Sequence, residues 1–301
     1  MEKRYRGIFV VVCTAFDKDG NVDEAALRRH IRWLVDDCKV HGIIPCGSTG
    51  EFAFLNEQER KRVVAITVDE VKNQLPVIAG SAACSTKEVI EYAQYYQELG
   101  VDGVMIVPSY YGHLNQEELY YHYSTIAKNI EQPIVLYNNP GTSGSDLLPI
   151  TVARLVEFNN IVAIKESTGI MQRVVDINLL VGDQIEVLCG CDTLAMEMFA
   201  MGVEGWIAAP ANVVGKQCVK LYQLMVEQKD ISAAWEFYKH VRPLFDLFEG
   251  SGQYVALAKA GLEMLGRSVG QPRKPLLPPS DELKTQLKVL LDIASKALEP
   301  G

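Results

Sequence analysis

Ile161-Val162-Ala163-Ile164-Lys165-Glu166 is a short, β-branched apolar run that ends on a lysine and a glutamate. Pro133-Ile134-Val135-Leu136-Tyr137-Asn138 has the same form and ends on a tyrosine. Amphipathic stretches flank both. Continuous apolar runs of this length between helices mark parallel strands buried on both faces. The same alternation extends in both directions. It predicts strands at 7–15, 42–46, 76–80, 103–107, 133–137, 161–165, 185–189 and 205–209. Helices are expected near 23–39, 56–74, 86–99, 115–130, 149–158, 170–181, 192–202 and 214–228. Eight strand–helix units in order imply a parallel sheet covered on both faces. Eight is also the number that closes a (β/α)8 TIM barrel. An open doubly wound sheet is the competing architecture, weakened by the lack of a GxGxxG turn after the first strand.

Local signals agree. Leu27, Ile31, Leu34 and Cys38 follow the spacing of one buried helix face. Asn56 with Glu59 three residues on reads as a capping box. Residues 1–230 are expected to form the barrel and 231–301 a C-terminal helical extension packed on it. Helices are predicted at 231–249 and 252–266. The proline-rich 271–279 is a stiff connector, and Ser280 caps a last amphipathic helix.

The chain has 301 residues, is 48% hydrophobic and 22% charged, and carries a net charge of −9. This is the balance of a soluble globular protein with a large core. The negative charge argues against nucleic acid or an anionic membrane as partner. The seven cysteines are odd in number and lack CxxC spacing, which points to free thiols in a reducing cytoplasm. No His or Cys cluster suggests a metal site, and no run is long enough to span a bilayer. Gly7–Phe16 follows Lys3, Arg4 and Arg6 in the layout of a signal peptide, but Asp17-Lys18-Asp19-Gly20 reads as a turn leaving a strand.

In a (β/α)8 barrel, chemistry gathers where strands end. Lys165 and Tyr137 end the sixth and fifth strands. A partly desolvated lysine loses some preference for the ammonium form and can attack a carbonyl. A tyrosine beside it can move protons. The plain alternative is a structural lysine paired with Glu166. Gly47-Ser48-Thr49-Gly50-Glu51 follows the second strand and either holds an anion through its N–H groups and hydroxyls or is an ordinary loop. Tyr110 and Tyr111 follow the fourth strand and read equally as rim packing. Asp192, after Cys189-Gly190-Cys191, reads in isolation as a helix cap. The five histidines show no ligand or triad spacing.

Gly47-Ser48-Thr49-Gly50-Glu51, Tyr137-Asn138-Asn139-Pro140-Gly141 and Lys165-Glu166-Ser167-Thr168-Gly169 together resemble the N-acetylneuraminate lyase / dihydrodipicolinate synthase family across essentially the whole chain. The resemblance implies a class I lyase or aldolase on the (β/α)8 barrel, needing no cofactor and no metal. It implies that Lys165 forms a Schiff base with a pyruvate-like 2-keto acid and that Tyr137 shuttles the proton. Ser48 and Thr49 would bind the keto-acid carboxylate, with Ser48 linking Tyr137 to Tyr110. Gly190 and Ile207 would lie around the Schiff base. It further implies a homotetramer, a dimer of dimers, in which Tyr110 reaches a neighbouring subunit.

Departures from the pattern bear on substrate. Dihydrodipicolinate synthases usually carry an arginine where Thr142 stands, and sialic acid lyases a glutamate where Thr193 follows Asp192 and a serine where Ala209 stands. A hydroxyl does not replace a bidentate guanidinium. With Gly205-Trp206-Ile207-Ala208-Ala209-Pro210, the combination looks most like the branch that deaminates 1-pyrroline-4-hydroxy-2-carboxylate, a cyclic imino acid. Asp192 and Thr142 are taken as further substrate-binding positions. Alternatives are a 2-keto-3-deoxy sugar acid aldolase or dehydratase, a 4-hydroxy-tetrahydrodipicolinate synthase despite the missing arginine, and, in another class, a non-catalytic keto-acid-binding barrel.

Overall fold

The computed structural model describes residues 4–299. All eight expected strands form: β1 (Gly7–Val11), β2 (Gly42–Ile44), β3 (Ile78–Gly80), β4 (Gly103–Ile106), β5 (Ile134–Asn138), β6 (Ile161–Glu166), β7 (Glu186–Cys189) and β8 (Gly205–Ala208). They pair in parallel in the order β2-β1-β8-β7-β6-β5-β4-β3. A parallel bridge between Ile43 and Val77 joins the two ends, so the sheet closes into a (β/α)8 barrel. Their residues are almost all buried, as expected for strands with side chains on one face and helices on the other.

The run after Gly7 leaves the ladder sooner than its composition suggests. Beyond Val11, Cys13 donates its N–H to Asn212 Oδ1 (3.0 Å) and Phe16 donates to Val269 O (3.0 Å). Gly7–Val11 is one strand of the barrel wall, pairing with β2 and β8.

Between β5 and β6 the register shifts. Ile134 faces Ile161, but Val135 faces Ala163, leaving Val162 as an extra residue. Such a bulge displaces everything downstream by one position. It sets Tyr137 opposite Lys165 and Asn138 opposite Glu166.

The helices start where capping chemistry predicts. Asn56 and Glu59 form the reciprocal capping box, both bonds at 2.9 Å, on the helix Glu57–Val71. Asp23 caps Glu24–Arg32, and Ser280 caps Asp281–Lys296. The first helix does not run unbroken to residue 39: it widens into a π turn over Trp33–Asp37, closed by Cys38 N–H to Trp33 O. This keeps Leu34 and Cys38 buried with Leu27 and Ile31.

After the barrel, Ile231–Gly250, Tyr254–Met264 and Asp281–Lys296 are helical. They lie against it through Leu257, Leu262, Leu287 and Ala294, all fully buried, and Gln217 Nε2 donates to Ala294 O (3.0 Å).

Candidate active site

Parallel strands all end at one mouth of the barrel, so Tyr137, Lys165 and the loops after β2 and β7 converge there. Paired across β5 and β6, Tyr137 and Lys165 point the same way, into the barrel. Lys165 is 5% exposed and Tyr137 6%. The Lys165 Nζ lies 4.0 Å from the centre of the Tyr137 ring. Asn139 Nδ2 donates to the Tyr137 hydroxyl (3.0 Å). Burial alone would push that phenol up, but the Lys165 charge and the Asn139 hydrogen bond outweigh it and hold the Tyr137 pKa below its ordinary value.

Glu166 does not pair with Lys165. Successive strand residues face opposite sides, so Glu166 turns outward, where it accepts from Asn138 Nδ2 (3.1 Å) and Thr168 N–H (2.7 Å). The lysine is left without a carboxylate partner in any ion pair among the described residues.

Gly190 packs on the lysine. A Cβ there would fall 2.0 Å from Ser167 Oγ and 2.7 Å from Lys165 Cγ. Only glycine permits that approach, so the loop after β7 is seated against the lysine stem. Ile207, in β8, is 1% exposed and is part of the barrel packing.

The Gly47–Glu51 turn is tightly built. Cys46 and Glu51, at its two ends, adopt left-handed backbone with φ of 57° and 60°, a conformation costly for residues with a side chain. Thr14 Oγ1 holds Gly50 O (2.6 Å). Glu51 N–H returns to Ser48 O (3.0 Å). Among the described residues, no acceptor takes the backbone N–H of Ser48 or Thr49. Ser48 and Tyr137 line one small pocket of about 10 Å³ with Gly47, Phe52, Gly80 and Val107. Arg60, buried behind it, donates to Ala82 O (2.8 Å) and lies 3.9 Å from the centre of the Tyr92 ring.

Tyr110, Thr142 and Asp192 complete the expected set. Tyr110 packs edge-on against Phe52 of its own chain, ring centres 5.6 Å apart, and is 37% exposed. No hydrogen bond links it to Ser48 or Tyr137 among the described residues. Thr142 sits exposed on the short helix Pro140–Ser143, a helix the sequence did not announce. Asp192 is not a helix cap: the helix Ala195–Ala200 has no side-chain cap, and Asp192 Oδ1 and Oδ2 instead accept from Trp206 Nε1 (2.8 Å) and Tyr254 OH (2.7 Å). Burial, with Glu249 nearby, pushes its carboxyl up to about 7.

A far larger concavity, about 770 Å³, lies at the other end of the barrel, lined by the starts of β6, β7 and β8. Lys165 is not in its lining, which has no lysine, cysteine, serine, threonine or histidine; in this fold that end serves stability.

Residues 4–294 match the dihydrodipicolinate synthetase family model. The chain belongs to this family. It is therefore a lyase of the aldolase type. The chain is 38% identical over 283 residues to the 4-hydroxy-tetrahydrodipicolinate synthase of Geotalea daltonii, covering 94% of this chain and 96% of that one. Among solved structures it is similar to the 4-hydroxy-tetrahydrodipicolinate synthase of Methylacidiphilum fumariolicum (TM-score 0.93, 30% identity, 98% of this chain and 97% of that one). It is also similar to the chloride-inhibited dihydrodipicolinate synthase of Acinetobacter baumannii complexed with pyruvate (TM-score 0.92, 30% identity, 97% and 99%).

Some residues around the family site carried no signal in the sequence. Asn139 was visible only as part of a motif. Glu249, Tyr254 and Lys259 lie far along the chain in ordinary helical patterns, and only folding brings them to the loops after β7 and β2. Among the described residues, no group of three His, Cys, Asp or Glu could hold a metal, and no helix is long and apolar enough to cross a membrane.

Proposed function

We propose that the protein captures pyruvate as a Schiff base on Lys165 and joins it to an aldehyde, in the 4-hydroxy-tetrahydrodipicolinate synthase reaction. The observation that carries the first half is Lys165: buried, free of a carboxylate partner, and set beside a tyrosine whose pKa is lowered. The second half is supported by the name shared by its relatives, the Geotalea daltonii enzyme among them. The Acinetobacter structure complexed with pyruvate supports pyruvate as the first substrate.

In this reading, tyrosinate at 137 takes a proton from the Lys165 ammonium. The amine attacks C2 of pyruvate, the Nζ–C2 bond forms, and the oxygen leaves as water after receiving protons. The positive iminium then draws electrons as the Tyr137 oxygen takes a C3 proton, giving an enamine whose C3 bonds to the aldehyde carbon; the aldehyde oxygen takes up that proton, and attack of a nucleophile at C2, the substrate's amine or water, breaks the Nζ–C2 bond and frees Lys165. The free N–H groups and hydroxyls of Ser48 and Thr49 hold the pyruvate carboxylate. Gly190 and Ile207 shape the floor. Tyr110 acts across the interface of a homotetramer, a reading supported by its partly exposed position beside Tyr111, which is 87% exposed. Seven unpaired cysteines support a cytoplasmic site of action.

A second reading, deamination of 1-pyrroline-4-hydroxy-2-carboxylate, is favoured by Thr142: exposed and neutral, it offers no bidentate grip on a second carboxylate. The relatives give it no support. One experiment separates the two. Borohydride trapping with pyruvate and peptide mapping should label Lys165. Turnover is then measured with pyruvate plus aspartate semialdehyde, the hydroxyproline-derived imine, keto-deoxy sugar acids and sialic acid. Condensation with the semialdehyde is expected; turnover of the imine alone would transfer the assignment to the deaminase. Label elsewhere than Lys165 would remove both. Sedimentation at assay concentration should show a tetramer.

A further inference from the structure

Val135, Leu136, Ala163 and Ile164 are apolar and buried, so β5 and β6 present apolar residues to both faces in either of two registers one residue apart. The other register would set Tyr137 opposite Ile164 and Lys165 opposite Asn138. We infer that a polar network on the outer face of these strands, running from Glu166 through Asn138 and Asp146 to Arg173, locks the observed register and so holds Lys165 beside Tyr137. The four are positioning residues for the amine chemistry. This rests on the Schiff-base reading above.

Asn138 and Glu166 are both buried and stand opposite each other, one residue beyond the reactive pair. Asn138 Nδ2 donates to Glu166 Oε2 and to Asp146 Oδ1, each at 3.1 Å, and Asn138 Oδ1 accepts the Leu147 N–H (2.9 Å). The second Glu166 oxygen accepts the Thr168 N–H (2.7 Å). Asp146 Oδ2 pairs with Arg173 Nη2, from the helix Gln172–Val181. Every polar atom of the Asn138 side chain is used. Its amide has one orientation only, because a flip would turn its oxygen towards two carboxylates. A buried amide or carboxylate is costly when unbonded. A one-residue slip would take Glu166 away from Asn138, so the observed register is the one that satisfies both. Backbone bonds close the same corner, from Ser167 N–H to Asn138 O (3.0 Å) and from Gly190 N–H to Glu166 O (2.9 Å). Among the described residues no hydrogen bond joins the network to Lys165 Nζ or to the Tyr137 hydroxyl. It acts through the backbone: fixing the outward residues of a strand fixes their inward neighbours. Through Leu147 and Thr168 it also ties down the loops that follow β5 and β6.

The test is borohydride trapping of pyruvate on the full chain, from about pH 6 to about pH 10, with peptide mapping. Glu166→Gln keeps an acceptor for Thr168 but meets Asn138 donor to donor, which opens the lock. Burial raises the Tyr137 pKa and the Lys165 charge lowers it. Separating the two therefore raises it, and the pH of half-maximal capture should rise by about one unit, about tenfold in capture at fixed pH on the slope. Removing a negative charge without loosening the strands would move that midpoint down. Loss of folded protein would lower the yield at every pH and leave the midpoint in place. The triple variant Asn138→Asp, Asp146→Asn, Glu166→Gln exchanges donors and acceptors along the network and restores each bond, so it should bring the midpoint back to the wild-type value. An unmoved or lowered midpoint in Glu166→Gln, or a folded triple variant whose midpoint stays displaced, overturns the inference while the wild type is still labelled at Lys165. Absence of label on Lys165 in the wild type overturns the Schiff-base reading and this inference with it. If Glu166→Gln does not fold, the triple variant decides: capture with the wild-type midpoint supports the lock, and a triple variant that is unfolded or displaced overturns it.

Discussion

A lysine ending an apolar strand is ambiguous until its neighbours are placed. Here the alternation of a strand separates Lys165 from Glu166, and the pairing of β5 with β6 gives it Tyr137 instead. A phenol with a lowered pKa beside an amine is a proton relay in the making. Tyr137→Phe keeps the ring next to Nζ and removes only the hydroxyl. Single-turnover capture of pyruvate should slow by about 10²- to 10⁴-fold, with Lys165 still the labelled residue. A loss below tenfold would show that another group moves the proton. Gly190 makes the complementary point: its lack of a side chain is what lets the β7 loop touch the lysine stem.

Elements enter through the turns at the barrel mouth. The Gly47–Glu51 turn is held in a costly backbone conformation by a partner from the far end of the chain. Glu51 pairs with Lys259 Nζ at 2.6 Å, both side chains 1% exposed or less, and Glu51 Oε2 accepts the Arg273 N–H (2.7 Å). Burial pushes the Lys259 pKa down while the Glu51 charge pushes it back up. Removing one partner leaves the other charge stranded. Lys259→Met should lower unfolding free energy by about 3–5 kcal/mol in urea titration. It should also weaken pyruvate capture, because the turn loses its tie. The double variant Glu51→Gln with Lys259→Met should recover much of the stability. An undiminished urea midpoint in Lys259→Met would mean the pair supports nothing. The bulge at Val162 acts at the same scale. Without that extra residue, Ile164 and not Lys165 would stand opposite Tyr137.

At the scale of the molecule, the burial that builds the barrel also sets its acid response. His30 and His122 are buried, and burial lowers both from 6.5 to about 4. Above pH 6.5 neither state of the protein holds these protons. As pH falls from there towards 4, the unfolded chain takes them up and the folded one does not. Stability therefore drops by about 1.4 kcal/mol per pH unit for each histidine. Asp192 works in the opposite sense: raised from 3.8 to about 7, it binds its proton in the folded state first, and so offsets one histidine over most of that window. His122→Gln can keep the bond to Thr86 Oγ1 that His122 Nδ1 makes at 2.9 Å. It should flatten the decline of stability between about pH 6.5 and about pH 4 by about 1.4 kcal/mol per unit, read from urea midpoints across that range. An unchanged slope would mean that His122 is protonated in the folded state.

The sequence by itself determined the eight strands, the order of strands and helices, the barrel they close, and the mouth at which Lys165, Tyr137 and Ser48 gather. Local physics suffices for this: apolar runs must be buried, capping residues satisfy helix ends, and parallel strands end together. It did not determine that Tyr137 stands opposite Lys165, because a one-residue bulge has no composition of its own. Nor did it show Asp192 as a buried carboxylate rather than a cap, or Glu51 as half of a buried ion pair. Those depend on Trp206, Glu249, Tyr254 and Lys259, which lie from 14 to more than 200 residues away in the chain. Charge and proton affinity are set by what packs around a group in three dimensions, and that neighbourhood exists only once the C-terminal helices lie against the barrel.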